Sequence, residues 1–319
     1  RKLQDAEEAS VADTRKEFLD WKQKAVANFL EFQKKYPQSD KIPDVLARLG
    51  SIYLLDVKDS AKAREYLARL TKDYPKAPAA RKAMFQLGKA LAEEGKMAEA
   101  AAAFEKYLSN PAEEPTSNLL HILTISLDAQ VPGPVLVAGQ ELLKRAEADK
   151  QAAIPLPRVL YSLGLASLQA KKYNDCVKYL EKLLADFPRT AYFFDAKFAL
   201  AEARGSGQKP DWDGLEKDLT DIRLNATDPA VVNKATCLYA EALLKSGDAS
   251  KNASALSCFQ IVLLADPANP ANREWLERAL YGAAKVYSAE GNREKTAEMV
   301  KRYQELFSGG RFAAEMSKL

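Results

Sequence analysis

Acid–base, thiolate, metal and phosphate chemistry each need particular residues at particular spacings, and those are scarce here. His121 is the sole histidine, so a Ser-His-Asp or Cys-His arrangement would depend on it, and a multi-histidine metal site is ruled out. It lies in LLHILTISL, an apolar helical stretch, and reads as a packed or partly exposed structural residue. Cys176, Cys237 and Cys258 form an odd set without paired metal-ligand spacing, so the default for each is a small buried hydrophobe. Cys237 and Cys258 fall on the two helices of one expected hairpin, which leaves a bridge geometrically open. Gly205-Ser206-Gly207 and Ser308-Gly309-Gly310-Arg311 lack the Gly-x-x-x-x-Gly-Lys-Ser/Thr spacing of a phosphate loop and read as helix stops. Glu93-Glu94 and Glu113-Glu114 are adjacent pairs whose side chains point in different directions, and they are expected in solvent. No catalytic residue, cofactor site or metal site is expected.

The elements carrying these residues repeat. Arg158 to Pro188 reads as two helices joined by a turn at Lys171 to Asn174. Leu160, Leu163, Gly164, Ser167 and Leu168 share one face of the first helix, and Cys176, Val177, Leu180, Leu183 and Leu184 one face of the second. Gly164 leaves room for close approach of the second helix at Cys176, and Pro188 removes an amide donor and ends it. A lone hairpin buries one side of each helix, so such a unit needs stacked copies to complete a core.

Copies are present on both sides. Leu49-Gly50, Tyr53, Ala63, Leu67, Leu70 and Pro75 make one, and Leu87-Gly88, Gly95, Ala100, Phe104 and Pro111 the next. Asn118 to Asp149 is a degenerate copy with Ile122, Ile125, a turn at Pro132-Gly133-Pro134, Ala138 and Leu142. Tyr192 to Pro229 carries Phe198, Ala201, Leu215, Leu219 and Ile222 around an enlarged loop, GSGQKPDWDG. Two more follow, with Leu238, Ala240, Leu243, Gly247, Ala255, Phe259 and Pro267, then Leu280, Ala284, Tyr287, Gly291, Thr296, Val300 and Tyr303, before a short tail. Ahead of them, Val11 to Tyr36 reads as one long helix with Phe18, Trp21, Ala25, Phe29 and Phe32 at helical spacing, the second half of an incomplete first repeat. The repeats end near 37, 75, 111, 150, 188, 229, 267 and 308.

This pattern resembles the tetratricopeptide repeat, whose consensus runs large residue, Leu-Gly, aromatic, Ala, Phe or Leu, then Pro, with a period of about 34. In the Arg158 unit the matching residues are Leu160, Leu163 with Gly164, Ser167, Cys176, Leu180 and Pro188; the aromatic is missing and Ala has become Cys. The resemblance implies an all-α, right-handed superhelical solenoid of about eight helical hairpins, with residues 1–319 as a single array. The linkers YPQSDKIPD, YPKAPAA and FPRTAYF are similar in style to those of bacterial cell-envelope repeat proteins such as the Tol-Pal coordinator and outer-membrane assembly lipoproteins, which implies a periplasmic or envelope location, with the cytoplasm as the alternative.

In this family the first-helix face opposite the second helices lines a groove. The residues it would present are Lys82, Phe85, Lys89, Arg158, Tyr161, Leu165, Phe198, Lys234, Arg278, Tyr281 and Lys285. Rings flanked by cations suit a protein or peptide partner, because rings supply desolvated area and Lys or Arg meets acidic groups. The two-carboxylate clamp of the chaperone-binding branch does not fit, since the Asn residues it needs are absent from positions 82 to 89. Lys plus Arg number 47 and Asp plus Glu 44, a net +3 that lacks the basic footprint of a nucleic-acid binder. No apolar run of about 18 residues could cross a bilayer. The chain begins RKLQDAEEAS, with neither an initiator Met nor an apolar signal, and reads as trimmed or as cut from a longer protein. The expected function is a noncatalytic interaction scaffold. Alternatives are a regulatory array of a larger enzyme or of a secretion or envelope assembly and, more remotely, a helical-toroid enzyme.

Overall fold

The computed structural model describes residues 2–207 and 209–319, with side chains from Lys16 onward; Gln208, in the enlarged loop, lies outside them. Among the described residues the chain is helical and contains no strand. It divides into two compact units, the first ending at Ala170 and the second starting at Lys171.

The first unit holds α1 (Lys2–Lys35), α2 (Ile42–Ile52), α3 (Ser60–Asp73), α4 (Pro78–Glu93), α5 (Met97–Tyr107), α6 (Thr116–Asp128), α7 (Pro132–Ala148) and α8 (Leu156–Gln169). Each helix packs on the next, and α2 on α4, α5 on α7 and α6 on α8. The second unit holds α9 (Tyr173–Asp186), α10 (Phe193–Arg204), α11 (Trp212–Asn225), α12 (Pro229–Lys245), α13 (Asn252–Val262), α14 (Pro270–Ala289), α15 (Arg293–Leu306) and α16 (Ala313–Met316). It packs in the same serial way, with α12 also against α14.

The expected register holds. Ala63, Ala100, Ala138, Cys176 and Ala255, all at the small place of a second helix, are fully buried, as are Leu67, Phe104, Leu142, Leu180 and Phe259 four residues later. Small residues there let a neighbouring helix approach closely, and the larger residue one turn on fills the gap. Where Leu-Gly precedes, the ring or branched chain sits on the glycine itself: a Cβ on Gly50 would collide with Leu67, and one on Gly88 with the Phe104 ring.

The turns between first and second helices share one backbone device. Lys58, Gly95, Gln130, Lys171, Gly207, Gly247 and Gly291 each take a positive φ, between 57° and 94°. A left-handed residue closes a helix and reverses the chain within a few residues, which glycine does without strain. Lysine or glutamine at the same place shows that the tertiary packing holds the turn even when the residue resists it.

Several sequence expectations need correction. Pro229 opens α12 instead of closing α11, which ends through the extended Ala226; proline is favoured at a first helical position because its missing N–H would have no partner there, and Asp228 caps the next amide. For the same reason Pro132-Gly133-Pro134 is the first turn of α7, and the turn proper is Ala129 to Val131. Tyr173 and Asn174 already belong to α9, so that turn is one of Ala170 to Lys172. Helix α1 starts nine residues before Val11, and its apolar stripe is covered only at its end: Phe32 joins the α2–α4 core, whereas Phe18 and Trp21 are 47% and 73% exposed. The C-terminal tail also folds back. After Gly310, Phe312 and α16 return against the last hairpin, and Met316 is 2% exposed.

Candidate functional site

The candidate residues of the first unit lie on α4 and α8. Phe85 is wedged between helices, its ring centroid 5.3 Å from Tyr107, 5.9 Å from Phe104 and 5.8 Å from His121. It fastens α4 to α5 and α6, which leaves less of the ring for a partner. Lys82 is exposed and Lys89 half-buried. Arg158 is exposed, and its Nη2 donates to Thr124 Oγ1 at 2.6 Å, tying α8 to α6. Tyr161 and Leu165 are half-buried on α8.

The second unit brings its candidates together. Lys234, on α12, reaches over the Phe198 ring of α10 with Nζ 4.0 Å from the centroid, and lies 5.8 Å from Trp275 of α14. Its ammonium thus lies between rings of α10 and α14, where the ring quadrupoles attract it. Arg278 bonds Glu241 with both Nε (2.7 Å) and Nη2 (2.5 Å) and reaches Glu274 at 3.3 Å. The hydrogen bonds to Glu241 raise its pKa against the opposing effect of burial, so its charge is fixed. Tyr281 stacks on Phe312 at 4.5 Å with the rings 7° from parallel, and Lys285 lies 5.5 Å from the Tyr281 ring.

Two grooves open here. One, of about 350 Å³, runs among α10, α11, α12 and α14 and is floored by Phe198, Trp212, Leu215 and Leu238, with Lys234, Lys245 and Arg278 around it. The other, of about 310 Å³, lies between α12, α14 and the tail, lined by Leu244, Phe259, Tyr281, Lys285, Arg311 and Phe312. They meet at Glu241, Lys245 and Arg278, which line both. Trp212, Trp275, Lys245, Arg311 and Phe312 were not among the sequence candidates. Trp275 stands three residues before Arg278 on the same helix face, so its spacing could have revealed it. Arg311 and Phe312 carried no such signal, because only the fold-back of the tail brings them to α14.

A layer of charge inside the second unit also escaped the sequence reading. Lys197 of α10, with an 11% exposed side chain, bonds Asp218 at 2.8 Å and Asp221 at 2.7 Å on α11. Arg204 bonds the other oxygen of Asp218 at 2.5 Å and Glu181 of α9 at 2.5 Å. Burial lowers the Lys197 pKa, but its bonds to Asp218 and Asp221 outweigh that and the net shift is upward. Burial likewise pushes Asp218 up, against the pull of Lys197 and Arg204.

The remaining residues behave structurally. His121 is half-buried with an unpartnered Nε2, its pKa lowered by burial and by the nearby Lys89 charge. All three cysteines are free and buried; burial pushes the Cys176 thiol up to about 12 and raises Cys237 and Cys258 as well. The expectation that both acidic pairs face solvent fails at Glu114, which is 8% exposed and accepts from Tyr107 and, at 2.6 Å, from Arg81. The short helical turn at Pro111 to Glu113 swings Glu114 inward, where Arg81 and the phenol compensate its desolvation. Glu94 pairs with Arg64 at 2.9 Å and Lys96 at 2.7 Å. Among the described residues no cluster of three His, Cys, Asp or Glu is arranged to hold a metal, and no helix is long and apolar enough to cross a membrane.

Models of the tetratricopeptide repeat match residues 50–115 and 158–190. No curated protein matches the chain. Similar solved structures include a tetratricopeptide repeat protein from Parabacteroides merdae, at 17% identity and a TM-score of 0.42 over 87% of this chain and 98% of that one. Yeast Tom70 is similar at 17% identity and a TM-score of 0.43 over 93% of this chain and 57% of its own. Pseudomonas aeruginosa pilF is similar at 17% identity and a TM-score of 0.32 over 88% and 98%. Residues 50–115 and 158–190 are thus tetratricopeptide repeats, and helix pairs with the same left-handed turns continue outside them.

Proposed function

We propose that this chain is a noncatalytic protein-interaction scaffold that holds a peptide or partner domain in the second unit's groove. The observation carrying this reading is that Phe198, Lys234 and Arg278, from α10, α12 and α14, line an open groove of about 350 Å³, with Trp275 beside both cations and Tyr281 in the adjoining groove that shares Arg278. Half-buried rings flanked by held cations form a pre-organised surface, the kind on which a few residues carry most of the binding energy. The repeat family supports the same reading, its members being typically noncatalytic scaffolds.

The test is site-specific photo-crosslinking in cells, with the crosslinker at Leu238 in the groove and, as a control, at Leu224 on α11, which is 77% exposed. A partner joined from Leu238 and lost in Phe198→Ala or Tyr281→Ala, with the fold intact by circular dichroism, supports the groove. A partner joined equally from Leu224, or unchanged by both substitutions, moves the interface elsewhere. A cell-envelope setting is part of the proposal and rests on the linkers YPQSDKIPD, YPKAPAA and FPRTAYF. Fractionation of the source cells tests that separately.

A further inference from the structure

We propose that the occupant of the second unit's groove is an acidic peptide that also presents apolar side chains; this rests on the scaffold reading above and adds the partner's chemistry. The lining of the two confluent grooves carries five cations, Lys234, Lys245, Arg278, Lys285 and Arg311, against two carboxylates, Glu202 and Glu241. The entire 319-residue chain has a formal net charge of only +3. The groove alone therefore carries an excess equal to that of the whole chain.

The excess is available to a ligand. Arg278 is committed to Glu241 and Glu274. The other four cations have no carboxylate partner among the described residues. Lys234, Lys285 and Arg311 lie over the rings of Phe198, Tyr281 and Phe312 at 4.0, 5.5 and 5.5 Å, contacts that orient a cation without neutralising it. Lys245 is exposed at the end of α12. A cation is favoured in the last turn of a helix, where the terminal carbonyls carry partial negative charge.

The floor argues against a simple polyanion. Phe198, Trp212, Leu215, Leu238 and Tyr281 line the grooves between these cations. A ligand of charge alone would leave that apolar area wet, whereas acidic and apolar residues in alternation would use both. The tail contributes: Arg311 and Phe312 supply a cation and a ring to the second groove, anchored by the Arg311 amide donating to Glu277 Oε1 at 2.5 Å and the Phe312 amide to the Tyr303 hydroxyl at 2.8 Å.

The experiment uses the full chain and short fluorescein-labelled peptides read by fluorescence anisotropy. One peptide interleaves Glu and Asp with Leu and Phe, a second replaces each acid by Lys, and a third replaces each apolar residue by Ser. The first should bind, weaken as salt rises, and lose at least about tenfold in affinity in the double variant Lys245→Glu with Lys285→Glu, while Lys144→Glu, at an exposed position on α7 of the first unit, leaves it unchanged. Both groove lysines are exposed, so a matching thermal melt is expected and serves as the folding control.

If the Lys peptide binds as tightly in a manner lost in Phe198→Ala, the acidic assignment falls while the scaffold reading stands. If the Ser peptide binds as well as the first, the site is a nonspecific anion surface and the proposal falls. Self-association abolished by the groove variants, seen by analytical ultracentrifugation with no peptide bound, would make a second copy the occupant and overturn it. If no peptide binds and the crosslinked partner ignores the groove variants, the scaffold reading of this groove fails with it.

Discussion

Gly88 and Gly282 each lie against an aromatic ring, Phe104 and Phe259, and each ring is fully buried. Neither ring can retreat from a new side chain, so Gly88→Ala and Gly282→Ala should each destabilise by about 1 to 3 kcal/mol in urea unfolding, through overpacking. A loss well under that range would mean that the helices separate more easily than the contact implies. Lys171 presents the opposite case: with φ 58° it occupies a place where Gly247 and Gly291 do the same work. Lys171→Gly should stabilise by about 0.5 to 1 kcal/mol, strain relief exceeding the entropy lost by a freer unfolded chain. The buried thiols make a prediction in pH. Cys176 is pushed up to about 12 from its usual 9 by burial, and Tyr303 to about 12 from 10 by burial and its bond to Glu277. For a raised pKa the folded state keeps its proton while the unfolded chain releases it, so stability is full below about 9 and falls as pH rises toward 12. Tyr303→Phe should lower the overall stability yet flatten its decline over that alkaline range, measured as Tm against pH. Below pH 8 the three cysteines should resist a disulfide reagent until the chain is unfolded.

At the scale of elements, α10 and α11 are joined by a layer of charge beside the apolar cluster of Ala201, Leu215, Leu219 and Ile222. Asp218 is 2% exposed and is shared by Lys197 and Arg204. Removing one partner leaves a buried charge, so Lys197→Met should cost about 3 kcal/mol, and adding Asp218→Leu should recover part of it. If the double variant is as unstable as the sum of the singles, the pair is not coupled. This layer also marks where sequence reading stops. The repeat register was legible because Ala63, Ala100, Cys176 and Ala255 recur with Leu67, Phe104, Leu180 and Phe259 four residues on, a local period written in the chain. The site was legible only in part: Phe198, Lys234, Arg278, Tyr281 and Lys285 follow from their first-helix register. Lys197 with Asp218, and Tyr281 with Phe312, are pairings across elements that no period encodes. Proline misled for a related reason, since Pro229 and Pro132 break one helix or begin the next with equal chemical logic, and only the neighbouring cap decides. The tail is a further element the period does not reach. Met316 is 2% exposed beside the last hairpin, so Met316→Ala should destabilise the second unit by about 2 kcal/mol and loosen Phe312 from Tyr281.

For the molecule as a whole, the relevant fact is that within each unit helices pack mainly on the next and next-but-one in the chain. A structure of that kind has no single centre, and its stability is a sum of helix-pair terms and neighbour interfaces. Damage should therefore spread by adjacency and fade with distance along the chain. The test places the same lesion, glycine to alanine under an aromatic ring, once in each unit and follows amide hydrogen exchange helix by helix. Gly88→Ala should lower protection first in α4 and α5, then in α3 and α6, and least in α14 and α15. Gly282→Ala should do the reverse, with α13 and α14 losing most. Such graded loss would make a single unfolding free energy for residues 1–319 a poor description, and urea curves from different probes should then fail to coincide. Equal loss of protection in every helix from either lesion would instead show one cooperative body, and neighbour-by-neighbour propagation would be the wrong account of this array.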